Sequence, residues 1–334
     1  MSHAILLLAH GTPDTLDQMA EYLAHVTNGR PMPQHVVEEL QHRYGEIGLR
    51  HEPLPEGPPL TRLTLLQGKL LEQELGTRVY VGMRNWHPFI GEVVEQMKSD
   101  GVTSATVLCL APQNSRTSTG LYRRALEKAL DNAFPFTFIA GWADEPLLIE
   151  AFADKLTTAW QAACTKHNAR VPVLFTAHSV PCRTIRATTE QQAAEGSNRP
   201  GENTPADGLQ NYGAAEAGDP YPIECKQTAA LVAARAGLSE ADWFFAFQSQ
   251  GVAGAPWIGP SVEDTITALA AAGHRAVVMQ PIGFLCDHVE ILYDIDVNFR
   301  DFGNERGISV TRAESLNDSP KLIDGIAHVL ATRA

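Results

Sequence analysis

The chain has 334 residues, of which 44% are apolar and 19% charged, and its 39 Asp and Glu against 26 Lys and Arg leave a formal net charge of −13. That composition belongs to a globular protein with a sizeable core and excludes a disordered or fibrous chain. The acidic balance argues against a sequence-independent grip on nucleic acid or an anionic membrane, because both need clustered cations. The length allows two domains, or one large domain of two similar halves. The opening Met1-Ser2-His3-Ala4-Ile5 has neither a basic region nor a long apolar run. No stretch approaches the ~20 apolar residues of a spanning helix, so a soluble, cytoplasmic protein without an integral membrane segment is expected. The five cysteines, Cys109, Cys164, Cys182, Cys225 and Cys286, are scattered and never form C-x-x-C. Buried reduced thiols, rather than disulfides or a cysteine-rich metal site, follow from that pattern.

In chain order, short β-rich runs alternate with helical patterns. Strands are expected over residues 5–9, 79–82, 105–110 and 136–140, then over 171–177, 243–247, 276–280 and 308–311. A helix is expected over 36–47, and another opens at Trp86-His87-Pro88, with Pro in its first turn and Gly101 closing it. Asp318-Ser319-Pro320 reads as an N-cap followed by Pro at the first helical position, starting a last helix over 322–330. Near-continuous apolar strands alternating with helices predict parallel sheets covered on both faces. Residues 183–217 are polar, weakly periodic and too long for an ordinary loop, so an insertion is expected, either a solvated excursion or a lid over a site.

The sequence repeats one motif. Ile5-Leu6-Leu7-Leu8-Ala9-His10-Gly11-Thr12-Pro13 and Val173-Leu174-Phe175-Thr176-Ala177-His178-Ser179-Val180-Pro181 share an apolar strand, Ala-His, a small residue, one spacer and Pro. Two doubly wound halves facing across a cleft would put both imidazoles beyond the carboxyl ends of strands, where open α/β sheets bind ligands. A histidine hydrogen-bonded to backbone at a strand end is the ordinary alternative for either one. Further on, Asp287, Glu290 and Asp294 sit at i, i+3 and i+7 of a helical pattern and would share one face. Such a stripe either faces water or is relieved by a cation, and imidazole with carboxylate suits iron, zinc or nickel. Gln113-Asn114-Ser115-Arg116-Thr117-Ser118-Thr119-Gly120 leads into a helix and offers either simple capping or free N–H groups for a carboxylate or phosphate.

Together these residues resemble the ferrochelatases, enzymes that insert Fe(II) into a porphyrin. The resemblance runs in family order over nearly the whole chain. It is carried by Ala9-His10-Gly11-Thr12-Pro13, Leu110-Ala111-Pro112-Gln113 with Ser115 and Ser118, Ala177-His178-Ser179-Val180-Pro181, and Gly218-Asp219-Pro220-Tyr221-Pro222. It continues through Phe247-Gln248-Ser249, Pro256-Trp257-Ile258-Gly259-Pro260, Pro281-Ile282-Gly283-Phe284, Asp287-His288-Val289-Glu290 with Tyr293-Asp294, and Leu316-Asn317-Asp318-Ser319-Pro320.

The resemblance implies an α/β fold of two Rossmann-like halves with a porphyrin cleft between them. The expected halves are 1–150 and 151–315, the second carrying the 183–217 insertion, with a helix over 316–334 packing back on the body. It implies His178 and Glu290 as catalytic and metal-site residues, with Asp294 on the inner metal path and Asp287 behind it. His10, Thr12, Arg43, Tyr44, Ser115 and Tyr122 are implied as substrate contacts. His10 stands where the coproporphyrin-type enzymes carry Tyr, Thr27 and Asn28 replace basic residues, and Asn298 replaces a further acid. Residues 30–60 are polar and Pro-rich, where protoporphyrin-type relatives carry an apolar lip, which favours the tetracarboxylate coproporphyrin III. The expected reaction gives Fe-coproporphyrin in haem biosynthesis; protoporphyrin IX, sirohydrochlorin with iron or cobalt, and non-catalytic tetrapyrrole binding are the alternatives. No resident cofactor and no [2Fe–2S] cluster are expected, since no Cys follows Cys286. An iron donor and other haem-pathway enzymes are the implied partners of a monomer.

Overall fold

The computed structural model describes residues 2–185, 218–250 and 256–334. Most of the polar stretch 183–217 therefore lies outside the described residues. Among the described residues eight strands form two wholly parallel four-stranded sheets. The first contains β1 (Ser2–Ala9), β2 (Val79–Met83), β3 (Val102–Cys109) and β4 (Phe136–Ile139) in the order β2-β1-β3-β4. The second contains β5 (Val173–His178), β6 (Trp243–Gln248), β7 (Ala276–Pro281) and β8 (Ser309–Arg312) in the order β6-β5-β7-β8. The two orders are the same, so the repeated sequence motif is a repeated topology.

The apolar strands are buried on both faces, as helix-covered parallel sheets require. In β1, Ala4, Leu6 and Leu8 point into a cluster with Ile90, Val94 and Leu126. Ile5, Leu7 and Ala9 point the other way, into a cluster that also holds Val173, Phe175 and Ala177 of β5. One core thus joins the halves, and the inner faces of both sheets line it. The last helix, Pro320–Arg333, starts with Pro at its first position as expected. It packs on the helices Pro146–His167 and Pro59–Leu75, with Lys321 3.1 Å from Glu150.

Most expected boundaries shift by one to three residues, and two of the shifts are informative. The helix expected to take in Pro88 begins at Ile90, because the Glu92 carboxylate accepts from the Phe89 N–H (2.8 Å) and sets the start there; Pro88, in a cis peptide with His87, lies outside it. Strand β5 extends one residue further, pairing His178 with Gln248. That extension fixes the imidazole on the sheet rather than on a loop.

In each sheet the chain leaves the first strand toward one edge and the third toward the other. The β1/β3 and β5/β7 boundaries are therefore switch points, where a crevice opens beyond the carboxyl ends. His10 follows β1 and His178 ends β5. A separate cluster of Met19, Tyr22, Leu23, Val37, Tyr44, Leu49 and Trp86 holds the helices Met19–Val26 and Gln34–Glu46 as a lip beside the first crevice.

Candidate active site

At the β5/β7 switch point the His178 Nδ1 lies 2.9 Å from Glu290 Oε2. A carboxylate only accepts, so Nδ1 carries the hydrogen and Nε2 presents a lone pair. Both side chains keep contact with solvent, at 37% and 30% exposure. Burial pushes the His178 imidazole down, but the Glu290 carboxylate more than reverses it, and the net direction is upward from 6.5. Glu290 moves to about 2: burial alone would raise it, and His178, with His288 and His10 further off, holds it down.

Strand β6 braces this pair. Gln248 accepts from the Thr176 hydroxyl (2.6 Å) and donates to the Glu290 carbonyl (2.8 Å), while its own carbonyl accepts from the Ser179 N–H (2.7 Å). Tyr221 adds a hydroxyl donated to the His178 carbonyl at 2.9 Å. The carboxyl ends of β5 and β6 and the segment after β7 are therefore tied at one point. Neither Gln248 nor Tyr221 was named from the sequence as a site residue; the available signal was that both lie in motifs carrying the resemblance, Phe247-Gln248-Ser249 and Gly218-Asp219-Pro220-Tyr221-Pro222.

The expected stripe of three carboxylates does not form. His288 is extended (φ −160, ψ −176) and the helix starts only at Val289, so the helical phase linking Asp287 to Glu290 is broken. Asp287 instead accepts from the Ser315 hydroxyl (2.7 Å) and the Asn317 amide (2.9 Å), and its own backbone N–H donates to Asn317 Oδ1 (2.9 Å). It closes a loop, with Arg312 Nη1 3.5 Å from its Oδ1. Asp294 does follow Glu290, at the head of a π-helical turn, Asp294–Phe299, where the Asn298 N–H reaches the Tyr293 carbonyl (2.9 Å). Its carboxylate is buried, accepts from the Ser249 hydroxyl and faces Arg43 Nη1 at 3.6 Å. Burial and the Glu290 charge raise its pKa. Among the described residues no three His, Cys, Asp or Glu side chains converge as a metal-holding group. His178 and Glu290 form a pair, and Asp294 stands beside it rather than completing a set.

The opposite wall comes from the first half. Gly11 (φ +86) carries the chain past Trp86, whose backbone nitrogen would lie 2.9 Å from any Cβ there, and this close approach sets His10 at the crevice. His10 Nε2 lies 3.0 Å from the Tyr22 hydroxyl, and the Asn85 amide nitrogen lies 3.1 Å from both ring nitrogens. Burial, and then the Arg84 charge, push the His10 pKa down to about 3, so the ring is neutral at ordinary pH. Thr12 donates to the Tyr44 hydroxyl at 3.4 Å. Tyr22 and Asn85 complete this wall, and no sequence motif pointed to either.

The remaining expected contacts divide. Arg43 and Tyr44 lie on the lip helix, Arg43 one-third exposed and Tyr44 buried. Tyr122 is buried under the Arg84 guanidinium, which stands 5.7 Å over its ring. Ser115 is buried in the seam between the halves, its hydroxyl shared by Thr117 (3.0 Å) and Asp219 (3.3 Å). The hydroxyl-rich loop does hold carboxylates, but they are the protein's own. Asp219 accepts from the Arg116 N–H (2.9 Å) and Glu224 from the Asn114 N–H (2.6 Å), docking one half on the other.

A family model described as Ferrochelatase matches residues 2–334. The chain belongs to the ferrochelatase family. It is therefore a porphyrin metal chelatase, a lyase of haem and porphyrin biosynthesis whose substrates are a porphyrin and iron. It is 53% identical over 326 residues to the Ferrochelatase of Acidobacterium capsulatum, covering 98% of this chain and 93% of that relative. It is 31% identical to the Coproporphyrin III ferrochelatase of Geobacillus kaustophilus, covering 98% and 95%. Among solved structures, the sirohydrochlorin chelatase SirB from Bacillus subtilis subspecies spizizenii in complex with cobalt superposes with a TM-score of 0.51 at 10% identity, covering 98% of this chain and 93% of that one. That likeness is one of fold, and it agrees with two parallel-sheet halves. Among the described residues no helix is long and apolar enough to cross a membrane.

Proposed function

We propose that this ferrochelatase inserts Fe(II) into coproporphyrin III, yielding Fe-coproporphyrin in haem biosynthesis. The observation that carries the choice of substrate is the lip. Its apolar side chains Val37, Tyr44 and Leu49 turn inward onto Tyr22 and Trp86, and none of its large apolar residues is among the exposed ones, which are Leu65, Ile223 and Leu231 elsewhere among the described residues. A wet rim suits four propionates better than vinyl groups, whose burial needs apolar surface. Relatives named coproporphyrin III ferrochelatases at 30–32% identity support the same reading.

Metallation removes two pyrrole protons and exchanges the waters of the iron for four ring nitrogens. The bare Nε2 of His178 accepts a proton, and its raised basicity, set by Glu290, suits transfer near neutral pH. Glu290 spends Oε2 on His178, and Oε1 has no protein hydrogen bond among the described residues, leaving an oxygen for the incoming Fe(II). Neutral His10 adds no positive charge against the dication from the opposite wall.

The test is an anaerobic assay of the purified protein with Fe(II) and coproporphyrin III, protoporphyrin IX or sirohydrochlorin, followed by the absorption change of metallation. Turnover is expected to be fastest with coproporphyrin III; a higher kcat/KM with protoporphyrin IX would refute the substrate assignment. His178→Ala should abolish insertion while porphyrin binding stays within about threefold, as a residue acting in the chemical step requires.

A further inference from the structure

The lip helix Gln34–Glu46 belongs to the first half, yet Arg43 reaches across the cleft mouth to the second. Its Nη1 lies 3.6 Å from Asp294 Oδ1, and its guanidinium stands 5.5 Å over the Tyr293 ring. Its other side pairs with Glu39 on its own helix. The Asp294 side chain is only 7% exposed and follows one turn after Glu290, whose charge opposes its own. Two carboxylates so placed need a cation, and among the described residues Arg43 is the only one paired with Asp294. At 3.6 Å the contact is a loose charge pairing rather than a hydrogen bond. A carboxylate meeting the guanidinium fork with two N–H bonds would outcompete it.

We propose that Arg43 is a displaceable counter-ion that couples the two substrates: a carboxylate of the bound porphyrin draws its guanidinium off Asp294, and the freed Asp294 receives the divalent cation on its way to Glu290 and His178. Porphyrin binding thereby primes the site for metal. The inference rests on the porphyrin chelatase activity and on a substrate bearing carboxylates. Because Arg43 cannot serve Asp294 and the substrate at once, the two affinities are linked, and each ligand strengthens the other by the same factor.

The test uses Mn(II), a hard cation suited to carboxylates, titrated by electron paramagnetic resonance on the whole protein with and without coproporphyrin III. The absorption spectrum confirms that the macrocycle stays metal-free. In the wild type, coproporphyrin III should tighten Mn(II) binding about 10-fold or more, within the usual range of coupling. In Arg43→Gln the porphyrin-free protein should bind Mn(II) as tightly as the loaded wild type, with less than about twofold further gain. Arg43→Lys keeps a cation beside Asp294 but loses the fork, so Mn(II) binding without porphyrin should stay weak and the gain on adding coproporphyrin III should shrink; Asp294→Asn should remove the porphyrin-sensitive Mn(II) site. No coupling in the wild type overturns the inference. So does undiminished coupling in Arg43→Gln, which would mean that the porphyrin's own charge attracts the cation. Full turnover of coproporphyrin III without coupling overturns only the Arg43 exchange. Turnover of protoporphyrin IX alone overturns the choice of substrate, and the coupling is then read with that porphyrin, whose two carboxylates suffice.

Discussion

Replacing Glu290 with Gln keeps the shape of the site and removes the charge beside His178. With charge centres about 4 Å apart, the ion pair is worth about 4 kcal/mol at an effective dielectric of ~20 and about 1 kcal/mol in bulk water. The two side chains are 37% and 30% exposed, so solvent screening pulls the figure toward the lower end, about 2 kcal/mol. The native carboxylate holds His178 above 6.5 against burial. Without it burial dominates, only Asp294 still pulls upward, and His178 should titrate below 6.5. The assay is the pH titration of the histidine Cε1–H signals by NMR, assigned with His178→Asn, together with the pH profile of kcat for Fe(II) insertion. His178 accepts a proton, so the acid limb should move to lower pH with it, while peak turnover falls at least about 100-fold because the iron-facing oxygen is lost. A His178 pKa within about 0.3 of the native value, on a scale where one unit is ~1.4 kcal/mol, would refute the argument that Glu290 sets its basicity.

His10 gives a stability prediction of opposite sign. Its folded pKa of about 3 lies below the unfolded 6.5, so acid favours the unfolded chain, and stability should fall by at most about 1.4 kcal/mol per pH unit below 6.5. Urea midpoints of the wild type should drop more steeply than those of His10→Asn between pH 7 and 5; parallel curves would contradict a ring held neutral in the folded protein. Gln248→Leu should lower kcat at least about 10-fold while the porphyrin KM holds within about threefold, since the brace positions Glu290 without touching substrate; equal losses in both would assign Gln248 a merely structural part. Asp219→Asn weakens the seam where the Arg116 N–H, Ser115 hydroxyl and Tyr221 N–H meet one carboxylate, and should cost about 1.5–3 kcal/mol in denaturant unfolding.

The local and repetitive features of this protein were legible in its sequence. Apolar runs such as Ile5-Leu6-Leu7-Leu8 are too short for a buried helix and fit a strand buried on both faces, and the recurrence of Ala-His after two of them placed His10 and His178 at strand ends. Position relative to a strand is a short-range property, set by the turn that follows it, and Gly11 shows why: only glycine passes Trp86 that closely. What the sequence could not supply is which side chains from distant segments meet. Asp287 was counted with Glu290 on helical spacing, but the extended backbone at His288 and the hydrogen bonds from Ser315 and Asn317 turn it into another loop. Gln248 and Tyr221 gain their roles only because β6 pairs with β5 and the helix Tyr221–Arg235 begins against His178. The hydroxyl-rich loop around Ser115 allows simple capping or an anion site from its sequence, and only the second half decides between them, by filling it with the Asp219 carboxylate. Periodicity and turn chemistry act over a few residues and so are written in the chain. Charge pairing across a cleft depends on two sheets packing through a shared core, and only the tertiary structure decides it.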